Sequence, residues 1–273
     1  MIGTMPRISN MTTDSVPFIE HALTPTVRVL FSQRRNIDTD NPYSGFNACD
    51  YTGDSPEHVL SCRHLLCRHL NISIDRLIMP RQSHSLNIAV VDRVPIAPTE
   101  IENVDALITT LPNTAIAVNT ADCLPLLFAD SQTGIIAATH SGWRGTVGKI
   151  AALTIQEMRR LGSEHENIKA IIGPSICPDC FEVGEEVAQQ FAYAFPHHNG
   201  IILRQYAKPH IDLRKACHIT LIEAGVKPEN ITHSGICSRC NHDTYFSARH
   251  LGIASGRTLS TIINQPILLR RTI

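Results

Sequence analysis

Three short segments set a histidine or a cysteine among small residues: Arg81-Gln82-Ser83-His84, Thr120-Ala121-Asp122-Cys123-Leu124-Pro125, and Thr139-His140-Ser141-Gly142-Trp143-Arg144-Gly145. Imidazole and thiolate are zinc ligands, and three of them leave a fourth position open for water or substrate. The same donors suit copper, so the ligand types point to zinc with copper as the alternative. His84, Cys123 and His140 are therefore read together as a metal-binding and catalytic set. A second chemistry uses the same residues: Cys123 with His84 or His140 can form a nucleophile–base pair in a hydrolase that needs no metal. Glycines beside His140 allow close backbone approach. Asp122, next to Cys123, can orient a ligand or pair with a cation.

Arg34, Arg144 and Arg249 are candidate anion binders, because a guanidinium fork matches phosphate. Arg34 and Arg144 are the expected substrate-binding pair. Trp143, the only tryptophan, is expected to pack beneath the site. Two further motifs, Cys177-Pro178-Asp179-Cys180 and Cys237-Ser238-Arg239-Cys240, would make a closed four-thiolate site if they met. Their separation far exceeds that of a zinc ribbon, so independent loop cysteines are the expectation. No Walker loop, GxGxxG or GxSxG is present, which removes support for nucleoside-triphosphate, dinucleotide and serine-hydrolase chemistry.

The elements that must position these residues follow from patterning. Thr26–Phe31 alternates as a strand, which puts Arg34 just past its end. Ser55 caps a helix running to Leu70, with Pro56 in the first turn and Val59, Cys62, Leu66 and Leu70 on one stripe. Short apolar runs at 76–80, 87–92, 105–110, 114–120, 124–129 and 134–139 read as strands. His84 lies on a sharp link between the first two; Cys123 and His140 lie at strand boundaries. Helices follow at 148–161, 183–195 and 212–225, with strands at 168–172, 231–235 and 259–263. Strands and helices mix without strict βαβ alternation, so the expected fold is α+β. Residues 1–24 read as an N-terminal tail and 25–273 as a single catalytic domain.

The 273 residues are 43% hydrophobic, enough for a sizeable core, and the formal net charge of −1 lacks the basic excess of a nucleic-acid binder. No apolar run is long enough to span a bilayer, and the N-terminus has no signal-peptide core. Nine cysteines without such a signal favour free thiols or metal ligands in the cytoplasm. Nothing in the patterning specifies an oligomeric state.

The segments RQSH, TADCLPLLFAD, AATHSGWRG, IGPSICPDCFEVGEEV, DLRKACHITLIEAGV and CSRCNHDTYFSARHLGIASGR together resemble the polyphenol oxidase (laccase-domain, YfiH-like) family, also described as purine nucleoside phosphorylases. The resemblance implies a single mixed α/β sandwich and a metal triad that carries over onto His84, Cys123 and His140. It also implies phosphorolysis of adenosine, inosine and S-methyl-5′-thioadenosine, together with adenosine deamination. The implied partners are a purine nucleoside and phosphate. A copper-dependent phenol oxidase is the alternative carried by one family name, although the paired HxH motifs of a true laccase are missing. The chain departs from the family where Ser85 replaces a glycine, Pro80 an aromatic residue and His250 an arginine.

Overall fold

The computed structural model describes residues 17–35 and 37–265. It contains a five-stranded and a six-stranded sheet stacked face to face, with helices on both outer surfaces. The strands are β1 (Phe18–Ala22), β2 (Val27–Ser32), β3 (Leu77–Ile78), β4 (Ile88–Val91), β5 (Ala106–Thr109), β6 (Ala115–Thr120), β7 (Leu124–Asp130), β8 (Ile136–Ser141), β9 (Ile168–Ile172), β10 (Ile202–Leu203), β11 (His210–Ile211), β12 (Ile231–His233) and β13 (Thr258–Asn264). The helices are α1 (Pro56–Leu70), α2 (Trp143–Val147), α3 (Ile150–Arg160), α4 (Glu185–Ala194), α5 (Leu213–Glu223) and α6 (Ala248–Leu251). The first sheet has the order β1-β2-β13-β6-β3 and the second β12-β9-β7-β8-β5-β4; β10 and β11 form a separate hairpin.

Alternation along each strand builds the layers. Val27, Val29 and Phe31 of β2, Ile116 and Val118 of β6, and Ile262 of β13 face the second sheet, where Leu127, Ala129, Ile136, Ala138 and Ile171 meet them. The intervening Leu30, Ala115, Ala117, Leu259 and Ile263 turn outward under α1 and its Cys62, Leu66 and Leu70. On the far side, Leu124, Leu126, Phe128, Ala170 and Ile172 are covered by Ile155 and Met158 of α3, Phe191 of α4, and Ala216 and Leu221 of α5. Both sheets are thus buried on both faces, which is why β5 to β9 read as near-continuous apolar runs.

Ser55 caps α1 as its position predicts, accepting the His58 amide at 3.1 Å. Asp212 does the same for α5 through Lys215 N at 2.9 Å. The tail expectation is corrected: residues 1–16 lie outside the described residues, and Phe18–Ala22 pair antiparallel with β2 as an edge strand. The segment after Gly142 also differs from expectation, because the short α2 precedes α3 and Lys149 turns between them at φ +59°. Among the described residues no helix is long and apolar enough to cross a membrane.

Candidate metal centre

Cys123 immediately precedes β7, and His140 is the penultimate residue of its antiparallel partner β8, where Pro125 faces it across the ladder. His84 comes from the link between β3 and β4. The potential ligand atoms of all three lie within 4.8 Å of one another. The Cys123 sulfur is 3.9 Å from His84 Nε2, and the two imidazoles meet edge-on with centroids 4.8 Å apart. His140 is buried, Cys123 half-buried and His84 exposed, so the cluster opens to solvent on one side. Gly142 closes the other: a Cβ there would lie 2.8 Å from His84 Cδ2 and 3.1 Å from the Cys123 sulfur. Only a glycine leaves that space free.

Two clasps hold His84, which sits at φ +61°. The Gln82 side chain copies a strand edge, donating to Asn119 O at 2.8 Å and accepting Asn119 N at 2.7 Å. The second clasp is Asp105, fully buried just before β5. Its carboxylate accepts the amides of Ser83, His84 and Ser85 at 3.1, 3.1 and 2.7 Å, and the Ser85 hydroxyl at 2.7 Å. It also pairs with His140 Nδ1 at 2.7 Å. One carboxylate therefore joins the His84 loop to the His140 strand, and it leaves His140 Nε2 as the nitrogen free for an ion. This carboxylate–histidine pairing is the usual support of a metal-bound imidazole.

The electrostatics follow from that arrangement. Burial pushes the Asp105 carboxyl up, but His140 and the Ser85 donors outweigh it and hold the group at about 2. Burial opposes charge on His140 as well; the Cys123 sulfur and Asp105 reverse that and raise it to about 9. Cys123 shows the mirror effect: burial favours the thiol, while His140 and then His84 draw it down to about 6. At neutral pH the metal-free site thus holds a thiolate beside an imidazolium. A soft cation can replace that proton.

Asp122 has a left-handed backbone, φ +84°, a strained conformation for a non-glycine residue. Its carboxylate accepts the Ser238 hydroxyl and the Arg249 amide, each at 2.7 Å, and its carbonyl accepts Ile176 N at 2.9 Å. It therefore orients Cys123 through the backbone. Arg144 is exposed, and its guanidinium lies 4.2 Å from the Trp143 ring centroid. It makes no side-chain hydrogen bond or ion pair among the described residues. Trp143 packs against the apolar cluster under the outer helices. Arg34 is buried, donating from Nε to Ser44 O at 3.3 Å and from Nη1 to His242 O at 2.9 Å, over the Phe246 ring. Arg249 donates both terminal nitrogens to Glu182 O. Two cavities, of about 730 and 490 Å³, lie elsewhere, one beside Leu86 and Leu153 and one beside Tyr51 and Arg81. The triad itself reaches solvent through the exposed His84.

Asp105 was absent from the expected site residues; an acid just before an apolar run carries no local signal. The expectation of independent loop cysteines is overturned. Cys177, Cys180, Cys237 and Cys240 bring their sulfurs within 4.8 Å of one another, because β9 and β12 are parallel neighbours and both CxxC segments leave from the same end of them.

A family model described as multi-copper polyphenol oxidoreductase laccase matches residues 28–265. A protein named adenosine deaminase RL5, from an unknown prokaryotic organism, is 48% identical over 244 residues, 86% of this chain and 93% of its own length. A purine nucleoside phosphorylase of Bacteroides thetaiotaomicron is 37% identical over 235 residues, 82% of this chain and 87% of its own. The crystal structure of the hypothetical protein YfiH from Bacillus licheniformis superposes with a TM-score of 0.81 at 25% identity, covering 88% of this chain and 93% of that one.

Proposed function

The chain belongs to the family described as multi-copper polyphenol oxidoreductase laccase, and from that membership and its named relatives we propose a metal-dependent enzyme of purine nucleosides. It phosphorolyses adenosine, inosine and S-methyl-5′-thioadenosine, giving the free base and the sugar 1-phosphate. It also hydrolyses adenosine to inosine and ammonia. The observation that carries this reading is the convergence of His84, Cys123 and His140, with Asp105 behind His140 and Gly142 leaving the space between them clear.

Zinc is the proposed ion and copper the alternative; His84, Cys123 and His140 would hold it. When bound, such an ion would supply Lewis acidity to water or phosphate. The chain supplies the rest. Asp105 keeps the His140 proton on Nδ1 and keeps His84 at the rim. His140 holds Cys123 as thiolate. Arg144, whose guanidinium lies over Trp143 with no hydrogen-bond or ion-pair partner among the described residues, binds the incoming phosphate as a forked cation. Arg34 holds the loops of Ser44 and His242 that wall the neighbouring surface. The reaction is placed in the cytoplasm, where the nine cysteines, all free, remain reduced.

Phenol oxidation by a laccase-type copper cluster is disfavoured. Among the described residues the groupings able to hold an ion are two, this triad and the four-cysteine cluster, and neither offers the histidine pairs of a multicopper centre. The deciding experiment incubates the metal-loaded protein with adenosine, with and without phosphate, under air and under argon. Inosine is expected throughout, and adenine with ribose 1-phosphate only when phosphate is present. Cys123→Ala and His140→Ala should abolish both reactions. Retained activity in those variants overturns the assignment, and a covalent adduct on Cys123 without metal supports the hydrolase instead.

A further inference from the structure

The four-cysteine cluster has the build of a second, closed metal site. Cys177 and Cys180 follow β9, and Cys237 and Cys240 follow β12. The two segments continue the parallel pairing of those strands: Ser175 N donates to Ile236 O at 3.1 Å, and Ser238 N to Ser175 O at 3.1 Å. Arg214 of α5 locks both from the side, with Nε on Ser175 Oγ at 3.0 Å and Nη2 on the carbonyls of Ser175 and Ile236. The sulfurs are therefore held on a braced frame rather than on loose loops.

The sulfur spacing fits a coordination shell. Four thiolates at about 2.3 Å from zinc stand about 3.8 Å apart along the edges of a tetrahedron. The Cys180 and Cys240 sulfurs are 3.5 Å apart, and all four lie within 4.8 Å of one another. A disulfide needs about 2.0 Å, and all four cysteines are free. Two backbone amides, Cys177 N at 3.3 Å and Cys240 N at 3.4 Å, point at the Cys237 sulfur. Amide donors of this kind stabilise a metal-bound thiolate.

We propose that Cys177, Cys180, Cys237 and Cys240 bind one structural zinc ion, independently of the ion proposed at His84, Cys123 and His140. With four protein ligands it has no open position and takes no part in turnover. Its effect on the reaction is positional. Ile176, next to Cys177, and Ser238, next to Cys237, are two of the three residues that grip Asp122, the third being Arg249, so the ion would help fix the strained shoulder on which Cys123 rests.

The test is zinc content on the full chain, purified with limiting added zinc. The triple variant His84→Ala/Cys123→Ala/His140→Ala should retain about one zinc per chain, a structural site being bound tightly. Cobalt exchanged into that variant should show the strong visible and near-ultraviolet absorption of tetrahedral tetrathiolate cobalt. Cys180→Ser/Cys240→Ser in the same background should lose both the zinc and the cobalt spectrum. Should that variant fail to fold, the zinc content and cobalt spectrum of the triple variant decide alone. A triple variant without metal, a cobalt spectrum lacking thiolate bands, or a disulfide among these cysteines in freshly reduced protein overturns the proposal. None of these readouts depends on nucleoside turnover.

Discussion

Asp105→Asn removes one charge from a carboxylate that five donors converge on, and its cost can be worked from their arrangement. One oxygen takes Ser83 N, Ser85 N and Ser85 Oγ; the other takes His84 N and His140 Nδ1. Whichever way an asparagine amide is turned, its NH2 group faces at least two of these donors. Removing one partner of a buried, hydrogen-bonded charge pair typically costs about 3–5 kcal/mol, which for a chain of this size lowers the melting temperature by about 10 °C. Affinity for the metal should fall about 10–100-fold, as for other residues that orient a ligating histidine.

The acid limb gives an independent check. Asp105 is held at about 2 against an ordinary 3.8, which for a fully buried group corresponds to about 2 kcal/mol. A depressed carboxyl stabilises the fold fully above its unfolded value, and the contribution disappears as pH falls from about 4 toward 2. The metal-free wild-type protein should therefore lose stability across that window, and the asparagine variant should lose about 2 kcal/mol less. Thermal melts of both proteins at stepped pH, with zinc titrations at neutral pH, measure all three quantities. A variant melting within about 2 °C of wild type and binding zinc equally well would refute Asp105 as the clasp.

Gly142→Ala should leave the fold standing, at about 1–3 kcal/mol of strain. It should weaken metal binding and lower activity at least about tenfold, because the new methyl group intrudes on His84 and Cys123; unchanged activity would mean that the cluster lies off the reaction path. In metal-free protein, Cys123 alkylation followed by peptide mass should titrate near pH 6, where burial is outweighed by His140 and His84. Bound zinc should block the alkylation, whereas an inflection near the free-thiol value of about 8.5 would remove the thiolate–imidazolium pair. Ser55→Ala deletes the α1 cap and should cost about 1 kcal/mol of stability with kcat/KM unchanged; a change in kcat/KM would couple α1 to the site in a way the layers do not predict.

The triad was legible in the sequence because Cys123 and His140 stand in small-residue settings at strand ends, and His84 on the link between two short apolar runs. Glycine and alanine leave room there that an ordinary core histidine does not need. Asp105 was not legible, since its partners lie some 20 and 35 positions away along the chain and only the packing of β5 beside β8 unites them. The two CxxC motifs are legible, but their meeting stands second to independent loop cysteines for the same reason: spacing rules describe local knuckles, whereas these two meet through parallel strands. Arg34 sits at a strand end as expected, but the loops carrying Ser44 and His242 fold over it. β1 escaped notice because FIEHA alternates weakly, and α2 because three glycines punctuate its surroundings.

The loop carrying His84 is tied to both halves of the sandwich. Gln82 fastens it to β6 in the five-stranded sheet, while Asp105 fastens it beside β5 in the six-stranded one. Any sliding of one sheet over the other must drag this loop between its two moorings, so shear registers at the rim histidine before it disturbs either ladder. Conversely, whatever immobilises that histidine acts as a rivet across the two layers, and occupancy at the surface should be felt as stiffness throughout the interior.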